Sequence, residues 1–131
     1  MTASLAMVTV VVDDYDKGIG FYRDTLGLKL VEDTPLDEGK RWVVLSGPRG
    51  GRLLLAEAST PRQRAAIGNQ AGGRVGFFLE TDDFVRDHAD FIDRGVKFRE
   101  APRYEAYGIV AVFEDPFGNA WDLIEPKPRE G

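Results

Sequence analysis

Apolar and polar positions fall into one pattern that occurs twice along the chain: a β-branched run, a helical stripe, a glycine, and then short apolar strands. In the first copy, residues 7–12 (MVTVVV) are apolar and β-branched, as expected of a buried strand. Asp13 or Asp14 is placed to cap a helix with apolar positions Ile19, Tyr22 and Leu26 at helical spacing, and Gly27 ends it as a C′ glycine. The second copy starts with a strand from Gly76 and carries the pair Asp82-Asp83. Its helical stripe is Phe84, His88, Phe91 and Ile92, and its terminating glycine is Gly95. The strands LKLVE, RWVVLS and RLLLAE follow the first helix, and VKFRE, GIVAVFE and AWDLIE follow the second. Asp115-Pro116-Phe117-Gly118 has type I turn chemistry, with Pro second and Gly fourth.

Overlaying the copies aligns the Asp-Asp pairs 13/14 and 82/83, and GPRGGRLLLAE from Gly47 with DPFGNAWDLIE from Asp115. The prediction is an α+β fold made of two tandem βαβββ modules within one domain spanning 1–131. Module one covers about residues 5–57 and module two about residues 75–126. The connection, residues 58–74, is long for a compact domain. Its stretch from Pro61 to Ile67 is suited to a brief helical turn, and Gly72-Gly73 to flexibility.

Composition narrows the function classes. Hydrophobic residues make up 43% and charged residues 30%, ordinary for a soluble globular chain of 131 residues. Without cysteine there are no disulfides, thiolate nucleophiles or cysteine-held zinc. The net charge is −5 and basic residues cluster no further than dipeptides such as Lys40-Arg41, so no nucleic-acid partner is expected. The apolar run from Leu5 to Val12 is far shorter than the roughly 18 residues of a spanning helix, so no membrane partner is expected and the location is taken as cytoplasmic.

VDDYDKGIGFYRDTLGL in the first copy and DPFGNAWDLIEP closing the second resemble the glyoxalase/bleomycin-resistance/extradiol-dioxygenase (vicinal oxygen chelate) superfamily, over about residues 5–126. The resemblance implies a curved, cup-shaped mixed sheet with helices outside and a small molecule within, often in a homodimer. It also implies, for metal-dependent members, one ligand on the first and one on the last strand of each module. Here those positions are Met7, Leu54, Gly76 and Asp122, and only the last can bind a divalent ion. The single histidine, His88, is on the second helix, so no metal and no cofactor are expected.

Asp122 interrupts an apolar strand and is the best catalytic candidate, as a carboxylate of raised pKa; a solvated carboxylate bonded to a neighbour is the plain alternative. Alternation puts Gly76, Phe78 and Glu80 on one face, where Glu80 and Asp122 can approach each other. Tyr104 and Tyr107, in the loop RYEAYG, suit a pocket rim or an interface, as does Trp42 at the matching place in module one. Trp121 should face the opposite way from Asp122, into the core. The expected ligand-binding set is Thr9, Leu54, Phe78, Glu80, Tyr104, Tyr107 and Asp122. The leading expectation is metal-independent binding of a small molecule, such as drug sequestration. The alternative is an isomerase or lyase acting on a carbonyl compound, with Asp122 as base and Tyr107 stabilising the enolate, and metal-dependent glyoxalase or dioxygenase chemistry ranks below it. A purely structural role also stays open.

Overall fold

The strand expected to be buried over residues 7–12 alternates in burial instead, with Val8 46% exposed. In β1 (Val8–Val12), Val10 and Val12 are fully buried, whereas Thr9 is exposed. The computed structural model describes residues 2–128 and has a mixed α+β fold. It divides into two compact units, one running up to Ile67 and the other starting at Gly68.

In the first unit, β1 leads through α1 (Tyr15–Ile19) to β2 (Lys29–Pro35), β3 (Arg41–Gly47), β4 (Gly50–Glu57) and α2 (Pro61–Ala66). The sheet order is β1-β4-β3-β2, with β1 parallel to β4 and the other pairs antiparallel. Asp14 is the cap residue of the expected pair, its side chain accepting the Lys17 N–H at 2.9 Å. The single α-helix expected as far as Gly27 instead widens after one turn into a π-helix over Gly20–Thr25. Gly18 and Gly20 weaken the α-helical preference there. Wider bonds take over, the Leu26 N–H donating to the Phe21 carbonyl at 2.9 Å, with Tyr22 and Leu26 both buried.

In the second unit, β5 (Val75–Glu80), α3 (Phe84–Asp93), β6 (Lys97–Phe98), β7 (Arg103–Glu105), β8 (Gly108–Glu114) and β9 (Ala120–Pro126) follow in turn. The sheet order β5-β9-β8-β6 repeats that of the first unit, again with a parallel first pair. Gly27 and Gly95 both sit beyond a helix end at positive φ, 83° and 88°, which a side chain would resist. VKFRE shrinks to the two residues of β6, and the expected loop RYEAYG contains β7, which pairs with β8.

The connection 58–74 is split between the units. Thr60 caps α2 by accepting the Gln63 N–H at 3.1 Å, so Pro61–Ala66 belongs with module one, and the glycine-rich turns from Gly68 belong with module two. Among the described residues, no helix is long and apolar enough to cross a membrane.

Candidate functional site

Each sheet packs one face against its own helix. The opposite face, the more open of the two, carries exposed side chains such as Thr9 and Phe78 beside buried Val44 and Val110. In module two, Trp121 and Leu123 lie on the helix face with Phe113, and the Trp121 and Phe113 rings stack at 5.8 Å. Alternation puts Asp122 and Ile124 on the open face. Parallel pairing sets Phe78 beside Asp122 and Glu80 beside Ile124, while Val112 flanks Asp122 on the other side. Phe78 is 66% exposed there.

Asp122 is half-buried, and its Oδ1 is buried with no hydrogen-bond partner. Burial pushes its carboxyl above the ordinary carboxylate value; the Arg103 guanidinium opposes that rise and Glu100 adds to it. Glu100 and Arg103, rather than Glu80, are therefore the charges that set the ionisation of Asp122. Glu80 shares the face but stands diagonally away, opposite Ile124. Arg103 is itself anchored, its Nε donating to Glu100 at 2.9 Å and its Nη1 to Glu105 at 3.0 Å, with the Tyr107 side chain adding a small further stabilisation of its charge. Glu100 also accepts the Val112 N–H at 3.2 Å, which ties this charged row to the edge of β8.

Register separates the two tyrosines. Tyr104 pairs with Ile109, which pairs with Glu125, so Tyr104 is on the helix face, away from Asp122. Tyr107 lies in the β7–β8 turn, 54% exposed and linked to Arg103. Of the expected set in this module, the structure groups Phe78, Glu80 and Asp122 on one face, adds Tyr107 through Arg103, and leaves Tyr104 out.

In module one, Thr9 pairs with Leu54, the counterpart of Phe78 beside Asp122. Both line a cleft of about 390 Å³, within the usual range for small-molecule sites. Trp42, Val11 and Ala56 extend its apolar wall, and Leu36, Lys40, Ser59 and Gln63 close it. Arg41 lines it too, but its guanidinium is held by Asp33 at 2.8 Å and Asp16 at 2.9 Å. The closing residues come from the β2–β3 connection and from the segment around α2, which the strand pattern could not assign to a site.

His88 packs between the rings of Phe84 and Phe98, at 5.2 Å and 4.5 Å, and burial lowers its pKa. It is on the helix side, as part of the packing. The donors of the described residues do not fit a divalent ion. Among the described residues no three His, Cys, Asp or Glu side chains converge, and Leu54 and Gly76 place no donor on the open faces.

The superfamily's sequence model matches residues 4–123 under the description Glyoxalase/Bleomycin resistance protein/Dioxygenase superfamily. The chain belongs to that superfamily. A protein of Shewanella frigidimarina is 51% identical over 99% of this chain and 98% of its own. Among solved structures, TnmS3, an antibiotic binding protein from Streptomyces sp. CB03234, superimposes with a TM-score of 0.77 at 31% identity, covering 97% of this chain and 99% of its own. A superfamily member from Sphaerobacter thermophilus gives 0.76 at 27% identity, covering 95% and 99%. Within the superfamily, then, this chain keeps the paired-module fold and carries a carboxylate on one open face and an apolar cleft beside the other.

Proposed function

We propose that the protein binds a small molecule at its open sheet faces without a metal and without transforming it, in the manner of drug sequestration. The observation that carries this reading is Asp122. A buried carboxylate oxygen with no partner costs stability, and a ligand's N–H or cationic group would supply the missing bond. Exposed Phe78 beside it offers a surface for an aromatic body. The antibiotic binding named for the Streptomyces protein supports the same reading. A two-fold homodimer and a cytoplasmic location belong to the proposal, and light scattering checks the first.

Thermal unfolding in the presence of bleomycin and a panel of cationic aromatic compounds tests it. A true ligand at 100 times its dissociation constant should add about 2.7 kcal/mol. Asp122→Asn should remove most of that gain for cationic ligands. A panel that leaves the protein unstabilised, or that stabilises both forms equally, sinks the role of Asp122. The raised pKa of Asp122 favours a second reading, acid/base catalysis on a carbonyl compound with Tyr107 near the enolate oxygen. Turnover of a stabilising ligand by the wild type and not by Asp122→Asn would select it.

A further inference from the structure

The module-one cleft differs in charge from the Asp122 face. Its lining carries three ionisable groups besides Tyr15: Arg41, Glu57 and Lys40. Arg41 is tied up in ion pairs with Asp16 and Asp33, and its guanidinium lies over the Tyr15 ring at 5.2 Å. Glu57 is occupied at the start of α1, where it accepts the Tyr15 N–H at 3.3 Å. Lys40 is different, since no carboxylate among the described residues pairs with its ammonium. Gln63 adds polarity of known sense. Its Oε1 accepts the Ser59 N–H at 2.7 Å and the Ser59 hydroxyl at 3.0 Å, which leaves the carboxamide NH₂ as a donor. Trp42 and Leu36, 37% and 49% exposed, supply the apolar wall.

We propose that this cleft takes aromatic acids: a planar apolar body lies against Trp42 and Leu36, and its carboxylate faces the Lys40 ammonium and the Gln63 carboxamide NH₂. The proposal rests on the reading that the protein binds small molecules at its open sheet faces, and it names the ligand class for module one. At the Lys40 and Gln63 end of the cleft a carboxylate meets two donors, and the carboxylate of the lining, Glu57, turns Oε2 to the Tyr15 N–H, whereas a cation would meet Lys40. The apolar wall supplies most of the affinity, because removing ring surface from water is the dominant favourable contribution. Lys40 supplies the choice between acid and base. Being exposed, its ammonium contributes modestly and is screened by salt.

The test uses the whole protein and three ligands of one shape: 1-naphthoate, 1-naphthamide and 1-naphthylmethylammonium. Trp42 is one of only two tryptophans, and Trp121 is buried in the core, so tryptophan fluorescence reports on the cleft. Calorimetry on Trp42→Phe checks that assignment. At low salt, naphthoate should bind about three- to fivefold more tightly than the amide and more tightly still than the ammonium. At about 0.5 M salt the preference should largely vanish. Lys40→Gln should erase the preference at low salt while the amide still binds. Equal binding of all three, tighter binding of the ammonium, or a preference that survives in Lys40→Gln would overturn the proposal. If naphthoate fails while cationic ligands still stabilise the protein through Asp122, this inference falls alone. If neither set binds, the general reading falls with it.

Discussion

Between β3 and β4 the chain turns through Gly47-Pro48-Arg49-Gly50, with Pro48, Arg49 and Gly50 exposed. The equivalent turn of module two, Asp115-Pro116-Phe117-Gly118, is built around a buried carboxylate. Asp115 is 4% exposed and accepts the Phe117 and Asn119 N–H groups at 3.0 Å, the Asn119 Nδ2 at 2.8 Å and the Trp121 Nε1 at 3.1 Å. Four donors thus fix the start of β9, and with it the strand that carries Asp122. A few residues further on the modules differ again, with Leu54 in the cleft of one and Asp122 on the open face of the other. One topology therefore tolerates two kinds of site, because the hydrogen-bonded ladders depend on the backbone while open-face side chains are free to vary.

Making the second turn a copy of the first tests this comparison most severely. Asp115→Gly should cost on the order of 3 kcal/mol or more, since it strands buried donors including the Trp121 indole N–H. Urea unfolding reads it, and a loss below 1 kcal/mol would show that the turn holds without its carboxylate.

A milder contrast concerns the glutamates that end each module. Glu125 accepts the Phe84 N–H at 2.9 Å at the start of α3, and Glu57 does the same for Tyr15 at 3.3 Å at the start of α1. Glu125→Ala should cost about 1 kcal/mol and the more exposed Glu57→Ala about half that, by the same unfolding measurement. Equal costs would mean that the longer bond is no weaker in effect.

The smallest expected effect is that of Asp122→Asn without ligand. Burial raises the folded pKa of this carboxyl above its unfolded value of about 3.9. Its contribution to stability is therefore fully present below the unfolded value and lost as pH rises through the raised folded one. At pH 7 the asparagine variant should melt a few degrees higher at most, and the advantage should shrink as pH falls toward 4. An advantage that does not change with pH would show that ionisation of Asp122 is not the cause.

Much of this was legible in the residues. A cap from each Asp-Asp pair, Gly27 and Gly95 as stops, and Trp121 in the core with Asp122 on the other face follow from local spacing, because capping and strand alternation act over a few residues. The structure selects Asp14 and Asp83 within the pairs. The π-helical turn after Ile19 was not legible, since apolar spacing does not distinguish neighbouring helix types. Nor was β7, too short to give a period. Asp115 looked like a turn residue, and the run Asp115, Asn119, Trp121 was the available hint of its network.

By itself, the sequence determined the duplicated module, the family and the absence of a donor side chain at Leu54 and Gly76, because these depend on residue identity at repeated positions. Tertiary structure alone decided which charges act on Asp122 and where a cleft opens. Arg103 acts on Asp122 from β7 and Glu100 from the bend before it, and Lys40 and Gln63 meet at one cleft from segments far apart in the chain. Electrostatics and cavities depend on distance in space, and register across strands, not spacing along them, sets that distance.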